Sequence, residues 1–448
     1  MTPTTKDALR EFSDNLKAVP RRVMETAFRT GPPTTDRTRS TFVFGNVFLH
    51  LHAVRTHRWS LKWTTTMGLG IMSVSAFLIA LVTGVMLMFY YKPYPEAAYQ
   101  SIKDIHFVVP TGRLIRNLHR WSANLMVIAV ILHMARAFYT AAYRKPREYN
   151  WLMGIGLLVV TLGLSFTGYL LPWDQLAYWA ITVGTNIASA APVVGPSLRF
   201  VLLGGSEIDQ NALIRFYVLH VAFLPGLLFF LFAYHMWRVR KDGGLAVVDH
   251  EARQQSLEER APVKSKTYSL LGVAGGASVH VRAREVDEEK NSVPSAPHLV
   301  RRVWLVTIGT FIVVLLLSLL FRAPLESAAN PSVTPNPAKA PWYVLWLQEI
   351  VTLTTLSVGS FTINGAFLGG IVLPGVLVFL ALWWPFRDRS GIDTVGVWLP
   401  RERRWQNSAF IAICLLIILF TFIGTFMRGP YWTLYWPWES WPDMPVKF

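Results

Sequence analysis

Two apolar stretches that each carry a pair of histidines constrain the fold of this chain most strongly. NLHRWSANLMVIAVILHMAR contains His119 and His133, 14 positions apart, and LHVAFLPGLLFFLFAYHMWR contains His220 and His235, 15 positions apart. At roughly 100° and 1.5 Å per residue, each pair returns close to one helix face and spans about 21 to 22 Å. Two such helices facing each other would bring the four imidazoles together as two pairs at two heights.

Imidazole is a good ligand for haem iron, and two imidazoles close both axial positions of that iron. A lone histidine in an apolar helix is often only a hydrogen-bonded packing residue. Ionisable groups inside a membrane are costly and usually functional, so four histidines at matched heights favour metal ligation. The pattern predicts two b haems, one held by the first pair, His119 and His220, and one by the second pair, His133 and His235.

The composition indicates an integral membrane protein, because 52% of the 448 residues are hydrophobic and only 16% are charged. Seven apolar runs are long enough to cross about 30 Å of hydrocarbon. They are approximately 67–90, 115–139, 151–171, 212–237, 302–321, 366–385 and 405–427. The predicted fold is an all-α polytopic membrane protein, with a four-helix haem-binding bundle and three further transmembrane helices.

The distribution of positive charge predicts the orientation of the chain. The net charge of +16 is carried by clusters that flank the apolar runs, which argues against a nucleic-acid surface. The clusters before span one, after spans two and four and between spans six and seven fall on one side if the N-terminus is inside. No signal peptide is apparent. We therefore expect a bacterial cell-membrane protein, in contact with lipid, whose C-terminus is outside.

Composition shifts divide the chain into four parts. These are an N-terminal polar and interfacial segment (1–66), a di-haem domain (67–241), a cytoplasmic linker (242–300) and a C-terminal three-helix domain (301–448). Short surface helices broken at Pro192 and Pro196 are expected between spans three and four. Cys414 is the one cysteine, so the sequence excludes an internal disulfide, an iron–sulfur cluster held by this chain alone and a CxxCH haem attachment.

Glycines and arginines accompany the histidines. Four glycines repeat the 14-residue spacing: Gly70 and Gly84 on span one, Gly154 and Gly168 on span three. Ordinary small-residue helix packing would explain them, but beside the histidines they are expected to let a flat porphyrin approach the backbone. Arg116 and Arg136 lie near the two membrane surfaces, where a guanidinium could pair with a haem propionate. Arg136 also suits a positive-inside anchor.

Together these residues carry a family resemblance. The stretches TGVMLMFYYKP, GRLIRNLHRWSAN, RKPRE, GYLLPWDQLAYWA, AAPVVG and RFYVLHVAFLP, followed by His235, resemble cytochrome b of the quinol-oxidising cytochrome bc complexes. The gap of 14 residues between His220 and His235 is similar to the gap in the plastid and cyanobacterial branch of that family. The last three spans resemble the separate C-terminal subunit of that branch, fused here into one chain.

The resemblance implies a quinol:cytochrome c (or plastocyanin) oxidoreductase core. Quinol would be oxidised at an outer site and quinone reduced at an inner one, with proton translocation. One electron would pass to a Rieske iron–sulfur protein and then to a cytochrome c-type subunit or soluble acceptor. The other would cross both haems to a quinone near Arg240 and Lys241. The complex would be a homodimer.

The chain departs from the family pattern at two places. The family's outer quinol site has a Pro-Glu-Trp-Tyr motif, whereas KAPWYVLWLQE keeps Trp342 and Tyr343 but has Pro341 in place of the glutamate. Trp342 and Tyr343 are expected to line the quinol site, with Glu349, the nearest carboxylate, accepting the proton. The branch's extra covalent haem needs a cysteine near span one. None is present, so covalent attachment by this chain is excluded, while a non-covalently bound extra haem at the inner site is compatible with the sequence.

Two other functions are compatible with buried histidines. A proton- or ion-coupled transporter uses them as relays, but transporters place their site at the midplane between paired halves, which this chain lacks. The haem-binding membrane anchor of another quinone-linked dehydrogenase also uses bis-histidine haems. The PWY segment (Pro341, Trp342 and Tyr343) and the last three spans argue against the function of a membrane anchor.

The predicted orientation can be tested with sealed right-side-out vesicles. Because the basic clusters place the 242–300 linker in the cytoplasm, protease added outside should leave it intact until the membrane is permeabilised. Immunoblotting with an epitope tag in the linker follows the cleavage. Rapid cleavage in sealed vesicles would reverse the predicted inner and outer sides.

Overall fold

The computed structural model describes residues 55–242, 244–246, 292–358, 361–391 and 394–440, with a few isolated positions elsewhere. Almost all of the predicted N-terminal segment before residue 55 and of the predicted linker lies outside the described residues. The described parts of 59–242 and 302–440 belong to one compact unit, and 55–58 with 292–301 belong to another. In the latter, strand β1 (Arg55–His57) pairs antiparallel with β2 (Ser292–Pro294).

Within the residues that the structure describes, seven helices are long and apolar enough to cross a membrane, the number predicted. In chain order the helices are α1 (Leu69–Met88), α2 (Pro95–Phe107), α3 (Gly112–Tyr139), α4 (Glu148–Leu170), α5 (Gln175–Ser189), α6 (Gly195–Leu203), α7 (Gln210–Lys241), α8 (Ser295–Leu320), α9 (Trp342–Thr354), α10 (Gly365–Arg387) and α11 (Arg401–Met427). A hairpin of β3 (Leu356–Val358) and β4 (Phe361–Ile363) follows α9. The all-α membrane fold is confirmed.

The first four spans form the bundle that carries the histidines. Helix α1 packs along α3, α4 packs along α7, and α3 contacts α4. An apolar cluster fills the middle of the bundle: Ala76, Phe77, Met126, Val160, Leu164 and Leu228. Met126 lies midway between His119 and His133 in the sequence, so this cluster separates the first histidine pair from the second.

Span four, α7, contains a π-turn over Leu219–Phe223, which ends two residues before Pro225. A π-turn takes about one residue more per turn than an α-helix. Fifteen residues of regular helix would overshoot four full turns by about 60°. Because the π-turn absorbs the extra residue, His235 keeps the same offset from His220 as the 14-residue pair on α3. The sequence predicts a regular helix here, and the π-turn was not predicted.

The predicted short helices after span three are present as α5 and α6, with Pro192 in the break between them. The start of α5 also binds the C-terminal part of the chain. Asp174 caps α5 and accepts a hydrogen bond from the backbone N–H of Glu326 at 3.2 Å. The Gln175 amide oxygen accepts from the N–H of Asn330 at 2.6 Å. These bonds join the two parts of the chain at the His119 end of the bundle.

A buried polar cluster joins the two parts at the His133 end. Asp388, just after α10, accepts a hydrogen bond from the Tyr143 hydroxyl at 2.6 Å and lies 3.3 Å from Nη2 of Arg403. The Arg144 guanidinium lies 3.7 Å from the other carboxylate oxygen. The indole N–H of Trp384 donates to the Tyr143 oxygen at 2.9 Å. The side chains of Asp388 and Arg403 are fully buried.

The Asp388 cluster predicts a pH-dependent contribution to stability. Burial alone would raise the pKa of Asp388, but hydrogen bonds from Tyr143 and Ser390 and the charge of Arg403 hold that pKa below its usual value. A carboxylate with a depressed pKa stabilises the fold above its unfolded-state pKa. That contribution disappears as pH falls through the folded-state pKa.

We expect Asp388→Asn to lower the free energy of unfolding by about 3 kcal/mol at pH 7, because Arg403 is left buried without its carboxylate. The difference from the parent should shrink below about pH 4. Unfolding midpoints in detergent between pH 3 and 8 measure both effects. A variant as stable as the parent at pH 7 would show that the cluster does not support the fold.

Candidate functional site

The histidines of α3 and α7 meet as the two predicted pairs. The ring centroids of His119 and His220 are 6.0 Å apart with an interplanar angle of 80°. Those of His133 and His235 are 6.4 Å apart at 74°. All four rings lie inside the membrane-spanning bundle, on α3 and α7.

The spacing of the rings fits a metal-centred ligand. A metal bonded at about 2 Å to one nitrogen of each of two opposed imidazoles sets their centroids roughly 6 Å apart. Edge-to-face contact between two aromatic rings covers the same range of centroid distances. What favours ligation is that histidine meets histidine at this distance at both heights of the bundle. Both pairs therefore fit bis-imidazole ligation of a haem iron.

Hydrogen bonds fix which nitrogen of the first pair is available. Nδ1 of His119 lies 2.9 Å from the carbonyl oxygen of Ala80, and Nδ1 of His220 lies 3.1 Å from that of Leu164. A carbonyl oxygen only accepts, so each Nδ1 carries the proton and each Nε2 presents its lone pair. Such a second-shell bond holds an imidazole in the tautomer that a metal needs.

Each of the four predicted glycines lies against one imidazole. A methyl group at Gly168 would lie 2.5 Å from Cε1 of His220, and one at Gly84 would lie 3.0 Å from Cε1 of His119. At the second pair, the corresponding distances are 3.3 Å for Gly70 to His133 and 3.9 Å for Gly154 to His235. The contact that the missing side chains permit in this structure is thus with the histidine rings.

The two predicted arginines differ in what they bind. Both are buried. Arg116 donates from Nη1 to the carbonyl of Ala323 at 3.0 Å and from Nη2 to that of Pro324. Arg136 donates from Nε to the carbonyl of Thr65 at 2.8 Å, while its Nη2 is buried without a hydrogen-bond partner among the described residues. An unpartnered guanidinium nitrogen suits an anionic group such as a propionate.

The PWY segment begins α9, at the His119 end of the bundle. The indole N–H of Trp342 donates to the side-chain oxygen of Asn124 on α3 at 3.1 Å. The hydroxyl of Tyr343 is buried and has no hydrogen-bond partner in the part of the chain that the structure describes. Burial raises the pKa of Tyr343, so its hydroxyl keeps its proton at neutral pH.

Glu349 has a different environment from the one expected. Its carboxylate accepts two hydrogen bonds from Arg428, at 2.9 Å from Nε to Oε2 and 2.5 Å from Nη2 to Oε1. The side chain of Glu349 is 1% exposed and that of Arg428 is 11% exposed. A bidentate pair of this kind occupies both oxygens of the carboxylate. This contact favours a structural ion pair for Glu349, and the expectation that Glu349 accepts a quinol proton stays a prediction.

The two basic residues predicted for an inner quinone site lie at the end of α7, beyond His235. Nζ of Lys241 is 4.9 Å from the centre of the Trp237 ring, and Arg240 is its neighbour in the last helical turn. Arg238 forms an ion pair with Asp242 at 3.0 Å in the same turn. The structure thus places Arg240 and Lys241 at the His133 end of the bundle, and their role at a quinone site stays a prediction.

Comparisons with known proteins agree with this arrangement. The family model described as Cytochrome b/b6/petB matches residues 56–243, which include all four histidines. The chain is 45% identical over 192 residues to cytochrome b6 of Heliobacterium modesticaldum, covering 43% of this chain and 88% of that protein. The chain belongs to the cytochrome b/b6 family. Cytochrome b6 of Cyanidium caldarium is also 45% identical, over 174 residues that cover 39% of this chain and 81% of that protein.

A solved structure extends the likeness beyond the family match. A chain described as "Hyperthermophilic respiratory Complex III" aligns with a TM-score of 0.62 and 25% identity, covering 80% of this chain and 84% of that one. Coverage of this size includes part of the C-terminal helices, which the family model leaves out. The resemblance to cytochrome b of a bc complex, close to the plastid and cyanobacterial branch, is confirmed. Members of this family bind b-type haem and transfer electrons within membranes.

Several residues around the site were not identified from the sequence. Thr83 and Thr167 contact the first histidine pair, and Arg428 binds Glu349. The threonines had a visible signal, because the dipeptide Thr-Gly occurs at the first-pair glycine of both span one and span three. Arg428 had no such signal, since it is distant in sequence from Glu349 and follows a different span.

The ion pair predicts that Glu349→Gln destabilises the protein. The substitution leaves the partly buried guanidinium of Arg428 without a negative partner, which should lower the free energy of unfolding by about 3 kcal/mol. Replacing both residues, as Glu349→Leu with Arg428→Met, should restore much of that loss because no buried charge remains. Thermal unfolding of the purified protein measures these changes.

The matched control for this prediction is Glu326→Gln. Glu326 is an exposed glutamate at the same end of the bundle, so its substitution should change stability by less than about 0.5 kcal/mol. If Glu349→Gln were as stable as the parent, or if the double variant were the least stable of the three, the assigned ion pair would be wrong.

Proposed function

We propose that this chain is the quinol-oxidising cytochrome b subunit of a bc-type complex, with two b haems held by its own histidines. The observation that carries the proposal is the pair of ring separations, 6.0 and 6.4 Å, at two heights of one membrane bundle. His119 and His220 would hold the outer haem, and His133 and His235 the inner one. The spacings of the histidines, 14 and 15 positions, and the 14-position spacing of the glycines support the same two levels.

A haem iron with two imidazole ligands supplies reversible one-electron transfer when it is bound. The chain's residues prepare the place for it. The carbonyls of Ala80 and Leu164 hold the proton on Nδ1 of the first pair, so that Nε2 is free to ligate. The absent side chains at Gly70, Gly84, Gly154 and Gly168 let the imidazoles seat against span one and span three, and would leave clearance for a porphyrin plane. Arg136 offers Nη2 to a propionate.

The outer quinol site would lie beside Tyr343. Its buried hydroxyl stays protonated and has no partner among the described residues, so it can donate a hydrogen bond to a quinone oxygen. Trp342, fixed to Asn124, would form a wall of the same site. Because Glu349 is held by Arg428, the quinol proton would leave to water or to a group on a partner subunit. Tyr343 therefore binds and orients substrate, and is not the base.

The remaining parts of the cycle follow from the chain's arrangement. The chain has one cysteine, Cys414, which cannot hold an iron–sulfur cluster alone, so the first electron acceptor would be a separate Rieske iron–sulfur protein. That protein would pass the electron to a cytochrome c-type subunit or soluble acceptor, in a homodimeric complex. Arg240 and Lys241 would attract the negative charge of a quinone being reduced at the inner surface. Proton release outside and uptake inside would then move charge across the membrane.

The proposal predicts two low-spin b haems per chain. His133→Leu removes one ligand of the second pair and should halve the haem content, because the first pair is about 21 Å away along α3 and keeps both ligands. A pyridine haemochrome assay on purified protein counts the haems. His106→Leu, which changes a histidine on α2 outside both pairs, is the matched control and should keep two haems. One haem or none in the parent protein would overturn the proposal.

A further inference from the structure

The first histidine pair has a hydroxyl contact that no described residue is shown to make with the second pair. Oγ1 of Thr83 lies 3.2 Å from Nδ1 of His119, and Oγ1 of Thr167 lies 3.2 Å from Nδ1 of His220. Each threonine directly precedes the glycine against which the same imidazole packs. Two different helices, α1 and α4, therefore present the same hydroxyl to the two rings of one pair.

The direction of these hydrogen bonds follows from the other partners of the hydroxyls. Thr83 donates its proton to the carbonyl of Ile79 at 2.6 Å, and Thr167 donates to that of Gly163 at 2.9 Å. Each Oγ1 then has lone pairs left and accepts from the neighbouring Nδ1–H. Because the same N–H also faces a carbonyl oxygen, each first-pair imidazole donates one proton to two acceptors.

The second pair has apolar side chains at the matching positions. Leu69 precedes Gly70, and Met153 precedes Gly154, so neither of those positions supplies a hydroxyl. Nδ1 of His235 is buried without a hydrogen bond of normal geometry among the described residues, and the group it faces is the carbonyl of Asn150. The two levels of the bundle thus share histidines and glycines but differ in the groups that surround Nδ1.

We propose that Thr83 and Thr167 are positioning residues that set the reduction potential of the first-pair haem. An acceptor at Nδ1–H makes the imidazole a stronger electron donor through Nε2. A stronger donor stabilises the oxidised, more positive iron, and second-shell hydrogen bonding of this kind is one of the protein's means of tuning a haem. The partial negative charge of each Oγ1 acts in the same direction. Both hydroxyls therefore lower the reduction potential of the first-pair haem relative to that of the second-pair haem, which has no such hydroxyls at the matching positions.

The proposal rests on the proposed bis-histidine haems, and redox titration of the purified protein tests it. Thr83→Val and Thr167→Val keep the side-chain shape and remove the hydroxyl. Each should raise the midpoint potential of the first-pair haem by about 40 mV, which is roughly a fivefold change in a one-electron equilibrium constant. The second-pair haem should keep its potential. Thr83→Ser and Thr167→Ser restore a hydroxyl and should return the potential towards that of the parent.

Thr310→Val is the matched control. Thr310 is a buried threonine of α8 whose hydroxyl donates to the carbonyl of Val306 at 2.7 Å, but it contacts neither histidine pair. Its substitution removes the same kind of bond from a membrane helix and should leave both potentials unchanged. Low-spin electron paramagnetic resonance signals show in each variant that both imidazoles still ligate.

The converse substitution tests the same idea at the other level. Met153→Thr places a hydroxyl at the position that corresponds to Thr167, beside His235, and should lower the potential of the second-pair haem. This measurement decides the question by itself if either valine variant binds no first-pair haem. Potentials that are unchanged, or shifted in the opposite direction, in variants that keep both haems overturn the tuning role. A parent protein without two b haems would instead overturn the proposed function, so the two failures are distinguishable.

Discussion

The architecture depends on the close approach of an imidazole to a glycine backbone. Each histidine of α3 rests against a glycine of α1, and each histidine of α7 rests against one of α4. Because a methyl group at Gly168 would lie within 2.5 Å of His220, any side chain there would push the ring, and with it α7, away from α4. The separation of α4 from α7 at the first pair therefore depends on the missing side chain of Gly168. Gly84 and Gly70 are tight at 3.0 and 3.3 Å, whereas a methyl group at Gly154, 3.9 Å from His235, would be in ordinary contact.

The bundle uses the same unit twice. A Thr-Gly dipeptide on α1 receives His119 from α3, and a Thr-Gly dipeptide on α4 receives His220 from α7. The histidines of α3 and α7 must lie at the same heights to face each other. The two histidines of α3 are 14 positions apart, however, and those of α7 are 15 positions apart. The π-turn in α7 absorbs the extra residue before Pro225, where the missing backbone N–H already interrupts regular helix bonding. The irregular turn thus lets α7 present its two histidines at the same two heights as α3.

Hydropathy and spacing predicted the seven spans and the two histidine pairs, because both depend on residues close together in sequence. The environment of Glu349 could not be predicted in that way. Its partner, Arg428, follows the last span, and only the packing of α9 against α11 brings the two together. Arg116 is similar, since its carbonyl partners Ala323 and Pro324 lie in a loop far along the chain. The local sequence predicts where Glu349 and Arg116 lie along their helices. The residues that they bind depend on tertiary structure.

The C-terminal helices are attached to the bundle chiefly through polar contacts near the ends of the spans. Between apolar helices the lipid competes equally well for contact, so van der Waals packing such as that of Phe138 against Phe410, 4.2 Å between centroids, does not by itself specify one docking position. The polar contacts lie at both ends of the bundle: Asp174 and Gln175 at one end, and Asp388 and Arg403 at the other. If the C-terminal helices docked elsewhere, these side chains would leave a buried charge or amide without its partner. Such groups penalise every alternative docking position. Two fixed ends then determine where α9 and its tyrosine stand relative to the first histidine pair.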